Sequence, residues 1–165
     1  MGGLELQIAQ LSGSVYEVHV PGPKPKSWIP LVAKVAAGEG DIPRIEKEIR
    51  AYQALAGKGV TPRFEGSVTE NGMIIGFLMS KVKIKRSTGP DDRALWRPLL
   101  DVMHASGIAH GNPTLEHLLL EGYPCERAVA VGFSECWFGP TQEEKDGEIT
   151  AATSNGALEG SSGVQ

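Results

Sequence analysis

The dipeptide Asn71-Gly72 lies between two apolar runs, residues 64–68 and 73–79, and limits the local fold more than any other feature of the chain. Both residue types tolerate the positive φ angles that the central positions of two-residue hairpin turns require. The pattern therefore predicts an antiparallel hairpin. Residues 6–20 predict two more short strands, broken at residues 12–14, because β-branched and aromatic residues are frequent there. We expect an antiparallel sheet in the N-terminal half.

A lysine inside an apolar strand is the next informative feature. Residues 31–35 form a compact apolar run around Lys34, and burying a lysine is unfavourable unless its ammonium finds a partner. A helix is predicted next, with Asp41 as its N-cap and Pro43 in its first turn. Its apolar residues recur at helical spacing at Ile45, Ile49, Tyr52 and Leu55. Glu48 falls between them, and Glu48 and Glu46 are the candidate partners of Lys34 on this helix.

The second half of the chain predicts helix around one polar loop. Asp91 and Asp92 open a helix whose start is delayed or kinked by Pro98, and Gly107 ends it. Residues 83–90 are predicted to be loop. Residues 108–120 predict a short strand, a polar loop and a second apolar strand, and residues 128–131 predict another strand. From residue 141 to 165 apolar residues are few, so this tail is expected to be largely disordered.

Composition argues against several functional classes. The 165 residues suggest one domain, and a net charge of -4 without a long basic block argues against a nucleic-acid partner. No apolar run approaches the roughly 20 residues that cross a bilayer, and no secretory signal is evident, so a cytoplasmic protein with no membrane partner is expected. Cys125 and Cys136 lack C-x-x-C spacing and are expected to be reduced thiols.

The order of these features resembles that of the protein kinase-like superfamily. The residues Val32, Ala33 and Lys34 resemble its V-A-I-K strand, and Glu48 stands where the family has the glutamate that pairs with the strand lysine. His110 fits the loop pattern H-R-D-x-x-x-x-N, and residues 132–134, Gly-Phe-Ser, stand at the D-F-G motif. The likeness extends over about residues 6–138 and is most similar to divergent kinase-like proteins of fungi.

This resemblance implies an α+β fold of the protein kinase-like two-lobe type, with an antiparallel N-terminal sheet and a shortened, mainly helical C-terminal lobe. The kinase-like domain is expected at residues 1–140, with its N-lobe at about 5–82 and a partial C-lobe at about 90–140. The disordered tail, residues 141–165, would follow. No activation segment ending in A-P-E follows Phe133, so the resemblance is to a degenerate and truncated member.

The resemblance also assigns a nucleotide site. Lys34, paired with Glu48, would contact the α- and β-phosphates, and residues 79–82, beginning at Met79, would be the hinge that meets the adenine ring. The resemblance therefore implies weak ATP binding.

The glycine-rich phosphate loop of the family is only partly matched. Gly13 and Val15 fit the last positions of G-x-G-x-x-G-x-V, but Ile8 and Gln10 stand at the two earlier glycine positions. Glycines there let backbone amides approach phosphate oxygens, so the two side chains are expected to obstruct that approach.

The polar loop retains His110 but lacks the chemical groups of the family. Asn112 stands where the family has the aspartate that accepts the proton of the substrate hydroxyl, and an amide cannot take that proton. His117 and Gly132 stand at the two magnesium positions, and magnesium prefers oxygen ligands, so the metal is not expected to bind. Loss of a general base alone lowers the rate by ~10² to 10⁴.

Three functional hypotheses follow from the resemblance. The first is a catalytically impaired kinase-like domain, or pseudokinase, that acts by binding an unknown protein partner or a nucleotide. The second is an active ATP-dependent phosphotransferase, acting on protein or small molecules, in which Glu116 or Glu135 has taken over metal binding. The third is a truncated kinase-like gene product without a separate function.

Overall fold

A five-stranded antiparallel sheet forms the N-terminal half of the protein. The computed structural model describes residues 7–123 and 126–154. The sheet has the strand order β1-β2-β3-β5-β4, and its strands are β1 Gln7–Ser12, β2 Val15–Pro21, β3 Trp28–Val35, β4 Phe64–Glu70 and β5 Met73–Ser80. Together with helices α1 to α3, described below, it makes the protein an α+β structure, as predicted.

The hairpin between β4 and β5 turns at Asn71-Gly72, which confirms the prediction. The φ angles of these two residues are 50° and 79°, in the left-handed region that both central residues of a type I′ turn occupy. Glu70 pairs with Met73, so the loop contains two residues. The turn between β1 and β2 is equally short, because Ser12 pairs with Val15.

Helix α1, Ile42–Ala54, packs against β4 and β5. Pro43 lies in its first turn, as predicted, because proline lacks the amide hydrogen that this position would leave unused. Asp41 is the N-cap residue of α1, as predicted, but its side chain makes no capping hydrogen bond to the helix. Its carboxylate instead accepts a hydrogen bond of 3.0 Å from the amide of Ala37, which lies before the helix. The buried face of α1 carries Ile45, Glu48, Ile49, Ala51 and Tyr52.

The described part of the second half contains helix α2 and five short strands, one before the helix and four after it. A 3₁₀ helix, Pro90–Leu95, leads into α2, Trp96–Ala105, so Pro98 lies in the first turn of α2, where it is tolerated. Gly107, with φ of 76°, ends the helix as predicted. The short strands are β6 Lys83–Arg86, β7 Ile108–Ala109, β8 Leu118–Tyr123, β9 Arg127–Ala130 and β10 Trp137–Phe138.

These strands form two small antiparallel sheets, with orders β6-β8-β9 and β10-β7. The prediction of loop over residues 83–90 is wrong for β6, which pairs with β8. All four residues of β6 are exposed. An exposed strand of basic composition lacks the apolar pattern of a strand, and the sequence therefore suggested a loop. The strand is held at its end by Arg86, whose two guanidinium nitrogens donate to Asp92 at 2.7 and 2.8 Å.

A third helix, α3, spans Gln142–Thr153, within the tail that was predicted to be disordered. The prediction is wrong for these residues because two features order them despite their polar composition. Thr141 and Glu144 form a capping box at the start of the helix. Glu148 and Ala152 are buried against the preceding part of the chain. Residues 155–165 lie outside the described part.

The hydrophobic core continues from the sheet through α1 to α2. Its large members include Tyr52, Phe77, Trp96, Leu100 and Phe133, each with at most 1% of its surface exposed. Residues from both halves of the chain are therefore packed in one cluster, which fixes the position of the polar loop between β7 and β8 relative to β3 and α1. In the described part of the chain, no helix combines the length and apolar character that crossing a membrane requires.

Candidate functional site

Lys34 and Glu48 form an ion pair, which confirms the pairing predicted from the sequence. The ammonium of Lys34 on β3 donates to the carboxylate of Glu48 on α1. The side chain of Glu48 is 1% exposed and that of Lys34 is 22% exposed, so the carboxylate is buried and the ammonium keeps some contact with solvent. Glu46, the alternative partner, is exposed on another face of α1. Val15 lies beside Lys34 on the neighbouring strand.

A pocket of about 180 Å³ adjoins this ion pair, and we call it the lysine pocket. The residues that line it include Ser14, Lys34, Arg44, Glu48 and Ser134. It therefore joins the turn between β1 and β2, the ion pair and the segment after Phe133. Its volume is below the roughly 300 to 1,000 Å³ of typical small-molecule sites.

The turn between β1 and β2, which lines the lysine pocket, is tight. Gly13 has φ of 46° and accepts a hydrogen bond of 2.6 Å from the side-chain amide of Gln10. The carbonyl oxygen of Ser14 accepts a hydrogen bond from the amide of Val35 at 3.0 Å. The turn is thus fixed to β3.

Ile8 and Gln10, expected to obstruct a phosphate site, lie on the face of the sheet opposite to Lys34. Ile8 pairs with Val18, whereas Val15 pairs with Lys34. Successive side chains of a strand point to opposite faces, so Ile8 and Gln10 lie on the outer face of the sheet, away from Lys34. Ile8 is 62% exposed there.

The segment predicted as a hinge carries an ion pair that the sequence analysis did not anticipate. Glu17, Val32 and Met79 are paired residues of neighbouring strands and lie side by side on one face of the sheet. The side chain of Met79 is buried in the core. The carboxylate of Glu17 accepts a hydrogen bond of 2.7 Å from Lys81, and this bond lowers the pKa of Glu17. A charged pair therefore lies where the resemblance would place an adenine ring.

His110 is fully buried and serves the loop as a structural hydrogen-bonding group. Its Nε2–H donates to the carbonyl oxygen of Val131 at 2.9 Å, and its Nδ1 accepts from the amide of Asn112 at 3.2 Å. These two bonds fit the neutral ring. Desolvation by burial lowers the pKa of His110 to about 4, although the bond to Val131 acts in the opposite direction. A neutral, enclosed imidazole at this position orients the loop and does not exchange protons with a substrate in solvent.

Asn112, predicted at the position of the base, is exposed at the loop surface. Its backbone carbonyl accepts a hydrogen bond of 2.8 Å from Nδ1–H of His117. This bond holds the ring of His117 against Gly132, whose φ is +77°. A Cβ atom built on Gly132 would lie 2.4 Å from Cδ2 of His117. The two positions that the resemblance assigns to magnesium ligands are therefore packed against each other, with the imidazole occupying the space of a side chain at residue 132.

The carboxylates proposed as substitute metal ligands, Glu116 and Glu135, are both exposed. Within residues 7–123 and 126–154, no group of three or more His, Cys, Asp or Glu side chains is placed to hold a metal ion.

A stack of aromatic rings connects α1 to α2 behind the loop. Phe133 contacts Tyr52 of α1 with ring centroids 5.1 Å apart, and it contacts His110 at 4.7 Å. His110 in turn meets Trp96 of α2 edge-on at 5.0 Å. Phe133, which the resemblance aligns with the D-F-G motif, is therefore the link between the helix that carries Glu48 and the loop that carries His110.

Glu148 of α3 anchors the loop from behind, and the sequence analysis missed it. Its carboxylate accepts hydrogen bonds from the backbone amides of Gly111 at 2.7 Å and His110 at 3.2 Å, and it bonds to Nε2 of His104 at 2.7 Å. Four per cent of its side chain is exposed. A buried carboxylate satisfied by several donors is a strong positioning group. The only local sequence signal was the capping-box pattern from Thr141 to Glu144, which predicts a helix start.

Cys136, expected to be a reduced thiol, is a free cysteine and is buried. Burial raises its pKa to about 11, so the unreactive thiol form dominates at neutral pH. Cys125 lies outside the described residues.

Comparison with known proteins leaves the family of this chain open, because no family model matches it and no curated protein sequence gives a significant match.

Proposed function

We propose that this protein is a divergent member of the protein kinase-like superfamily that does not transfer phosphate and acts by binding a protein partner. Support for the kinase-like part comes from a set of contacts between distant residues. Lys34 pairs with Glu48, and Phe133 lies between Tyr52 and His110. Each of these residues stands where the sequence resemblance expects it, although the comparisons give no independent support.

The observation that carries the loss of catalysis is the packing of His117 on Gly132. In kinases the protein contributes mainly positioning and magnesium ligands, so the metal carries much of the rate. Here an imidazole fills the space that a carboxylate at residue 132 would need, and residue 117 offers nitrogen, which magnesium binds poorly. Asn112 supplies no base at neutral pH. The residues at positions 112, 117 and 132 would all act in the phosphoryl-transfer step, so their replacements together lower its rate more than any one of them alone.

Nucleotide binding, in this proposal, is weak and independent of magnesium. Lys34 remains available to a phosphate group through its exposed fraction. The lysine pocket is small for a nucleotide, and adenine binding would have to displace the ion pair between Glu17 and Lys81. Protein binding is therefore the favoured activity, and the nucleotide is secondary.

A transfer assay tests the proposal directly. The full chain is incubated with γ-labelled ATP and magnesium, with a generic protein substrate and without it, and both labelled protein and released phosphate are measured. The matched control is Lys34→Ala, which removes the group that would hold the phosphates. We expect no turnover above that control. Turnover by the unaltered chain that Lys34→Ala abolishes would refute the proposal and support an active phosphotransferase.

The same assay tests the alternative hypothesis, in which Glu116 or Glu135 has taken over metal binding. If turnover exists, Glu116→Gln and Glu135→Gln should each be tested, because that hypothesis needs one of these carboxylates to hold the metal. Thermal melting with ATP, in the presence and absence of magnesium, gives a second readout. We expect ATP to raise the melting temperature slightly, and we expect magnesium not to enlarge this rise.

A further inference from the structure

A second cavity, of about 520 Å³, lies outside the lysine pocket, and we call it the basic groove. It is bounded by the segment after α1, by the segment that follows β5 and by the strands β8 and β9. Neither Lys34, Glu48 nor His110 lines it. Its volume lies within the range in which ligand groups are usually held.

The charge of the basic groove is opposite to that of the whole protein. Of its twelve lining residues four are cationic and one is anionic, whereas the chain has a formal net charge of -4. The cations are Arg63, Lys81, Lys83 and Arg127, and the anion is Glu121. Such local concentration of one sign attracts ligands of the other sign and raises their rate of association.

The ion pairs at the groove direct their positive ends outward. The ion pairs at the groove include Arg63–Glu65, Lys81–Glu17 and Arg127–Glu121. The acidic side chains are 23%, 17% and 10% exposed, whereas the basic ones are 77%, 40% and 38% exposed. In each of these pairs the carboxylate is thus less exposed than the cation that it binds. A ligand that approaches from solvent meets the positive groups first.

The two arginines have donors left for an incoming carboxylate. Arg63 uses its Nε to bond Glu65. Arg127 uses its Nε for Glu121 and one Nη1 hydrogen for the carbonyl of Gly59. The remaining donors of both guanidinium groups have no partner among residues 7–123 and 126–154. A planar guanidinium with two adjacent free donors binds carboxylates in a bidentate manner.

Apolar residues form another part of the groove wall. Ala56, Pro62 and Phe64 contribute to it, and Phe64 is only partly buried by the core. A small inorganic anion would leave this surface uncovered. A peptide that combines one apolar side chain with flanking carboxylates would match both parts of the groove.

We propose that the basic groove binds an acidic segment of a partner protein, with one apolar side chain of that segment against Ala56 and Phe64 and its carboxylates at Arg63 and Arg127. This inference rests on the proposed function, since it names the class of partner for a domain that acts by binding. The charge complementarity between an acidic peptide and the outward-facing cations is the main argument.

A peptide titration tests the inference. The ¹⁵N-labelled full chain is titrated with the blocked peptide Glu-Glu-Phe-Glu-Glu, and backbone amide shifts are followed. We expect saturable shifts centred on the groove segments, and binding that weakens as salt rises from 50 to 200 mM because the charges are solvent-exposed. Glu-Glu-Gly-Glu-Glu should bind about tenfold more weakly, because it lacks the apolar side chain. Lys-Lys-Phe-Lys-Lys should not bind.

Two variants localise the effect. Arg63→Glu reverses a 77% exposed cation of the groove, and we expect it to weaken binding at least about tenfold. Arg97→Glu is the matched control, since Arg97 is a 61% exposed arginine on α2, also in an ion pair, and does not line the groove. Absence of saturable shifts, equal binding of the basic peptide, or unchanged binding by Arg63→Glu would each overturn the inference.

Failure of the inference and failure of the proposed function are distinguishable. Turnover of ATP would refute the proposed function whatever the peptide does. Loss of the peptide effect in a chain that does not turn over ATP would refute the groove alone.

Discussion

Introducing a side chain at Gly132 should destabilise the protein mainly through His117. In Gly132→Ala the residue must keep φ near +77°, which costs about 1 to 2 kcal/mol for a residue with a Cβ atom. The new Cβ would also lie 2.4 Å from Cδ2 of His117. Either the ring moves and gives up its bond to the carbonyl of Asn112, or the backbone shifts, and overpacking of this kind costs about 1 to 3 kcal/mol. We expect a total loss of about 2 to 5 kcal/mol in the free energy of unfolding.

A double-mutant cycle measured by urea denaturation separates the two terms. In a His117→Ala background, Gly132→Ala should cost only about 1 to 2 kcal/mol, so the coupling between the two changes should be about 1 to 3 kcal/mol. Gly139→Ala is the control, because Gly139 has φ of +73° but no atom within 4 Å of an added Cβ. It should show the conformational cost and no coupling to His117. Additive costs for Gly132→Ala and His117→Ala, within about 0.5 kcal/mol, would refute the contact.

Three further predictions concern stability, each measured by denaturant unfolding. Lys34→Ala should lower the free energy of unfolding by about 3 kcal/mol or more, because it leaves the buried Glu48 unpaired. Adding Glu48→Ala should recover part of that loss, and additive losses would contradict the pairing. The free energy of unfolding should fall by about 3 kcal/mol as the pH decreases from 6.5 to 4, because His110 takes up a proton in the unfolded chain but stays neutral in the folded one, where its pKa is about 4. A flat pH profile would contradict the burial of His110 as a neutral ring. Glu148→Ala should cost about 2 to 5 kcal/mol by leaving backbone amides unpaired, whereas Glu143→Ala, exposed on the same helix, should cost less than about 1 kcal/mol; similar losses in both would indicate a general effect on α3.

Local patterns predicted the N-terminal half well. Asn71-Gly72 fixes a hairpin through backbone conformation alone, and the apolar run around Lys34 with the helical spacing around Glu48 brings the two charges together. In both cases the information lies within about fifteen residues of sequence. Strand and helix periodicity then determine which side chains face each other.

Contacts that depend on distant residues could not be predicted in the same way. The face on which Ile8 lies depends on its register with Val18, which motif spacing does not specify. The pair between Glu17 and Lys81 joins residues 64 positions apart. Helix α3 has too few apolar residues to show a periodic pattern, so its burial became evident only from the donors that surround Glu148.

The anchoring of the loop by Glu148 also bears on the order in which the protein folds. The bonds from Glu148 to Gly111 and His110 span 37 and 38 residues of chain, and contacts of such separation pay a large closure entropy before they form. During synthesis, the loop is complete in sequence well before residue 148 has been added. We therefore expect the segment around His110 to reach its final backbone conformation only after α3 has docked, so that a nascent chain ending near residue 140 would hold the sheet and α1 but leave the loop unformed.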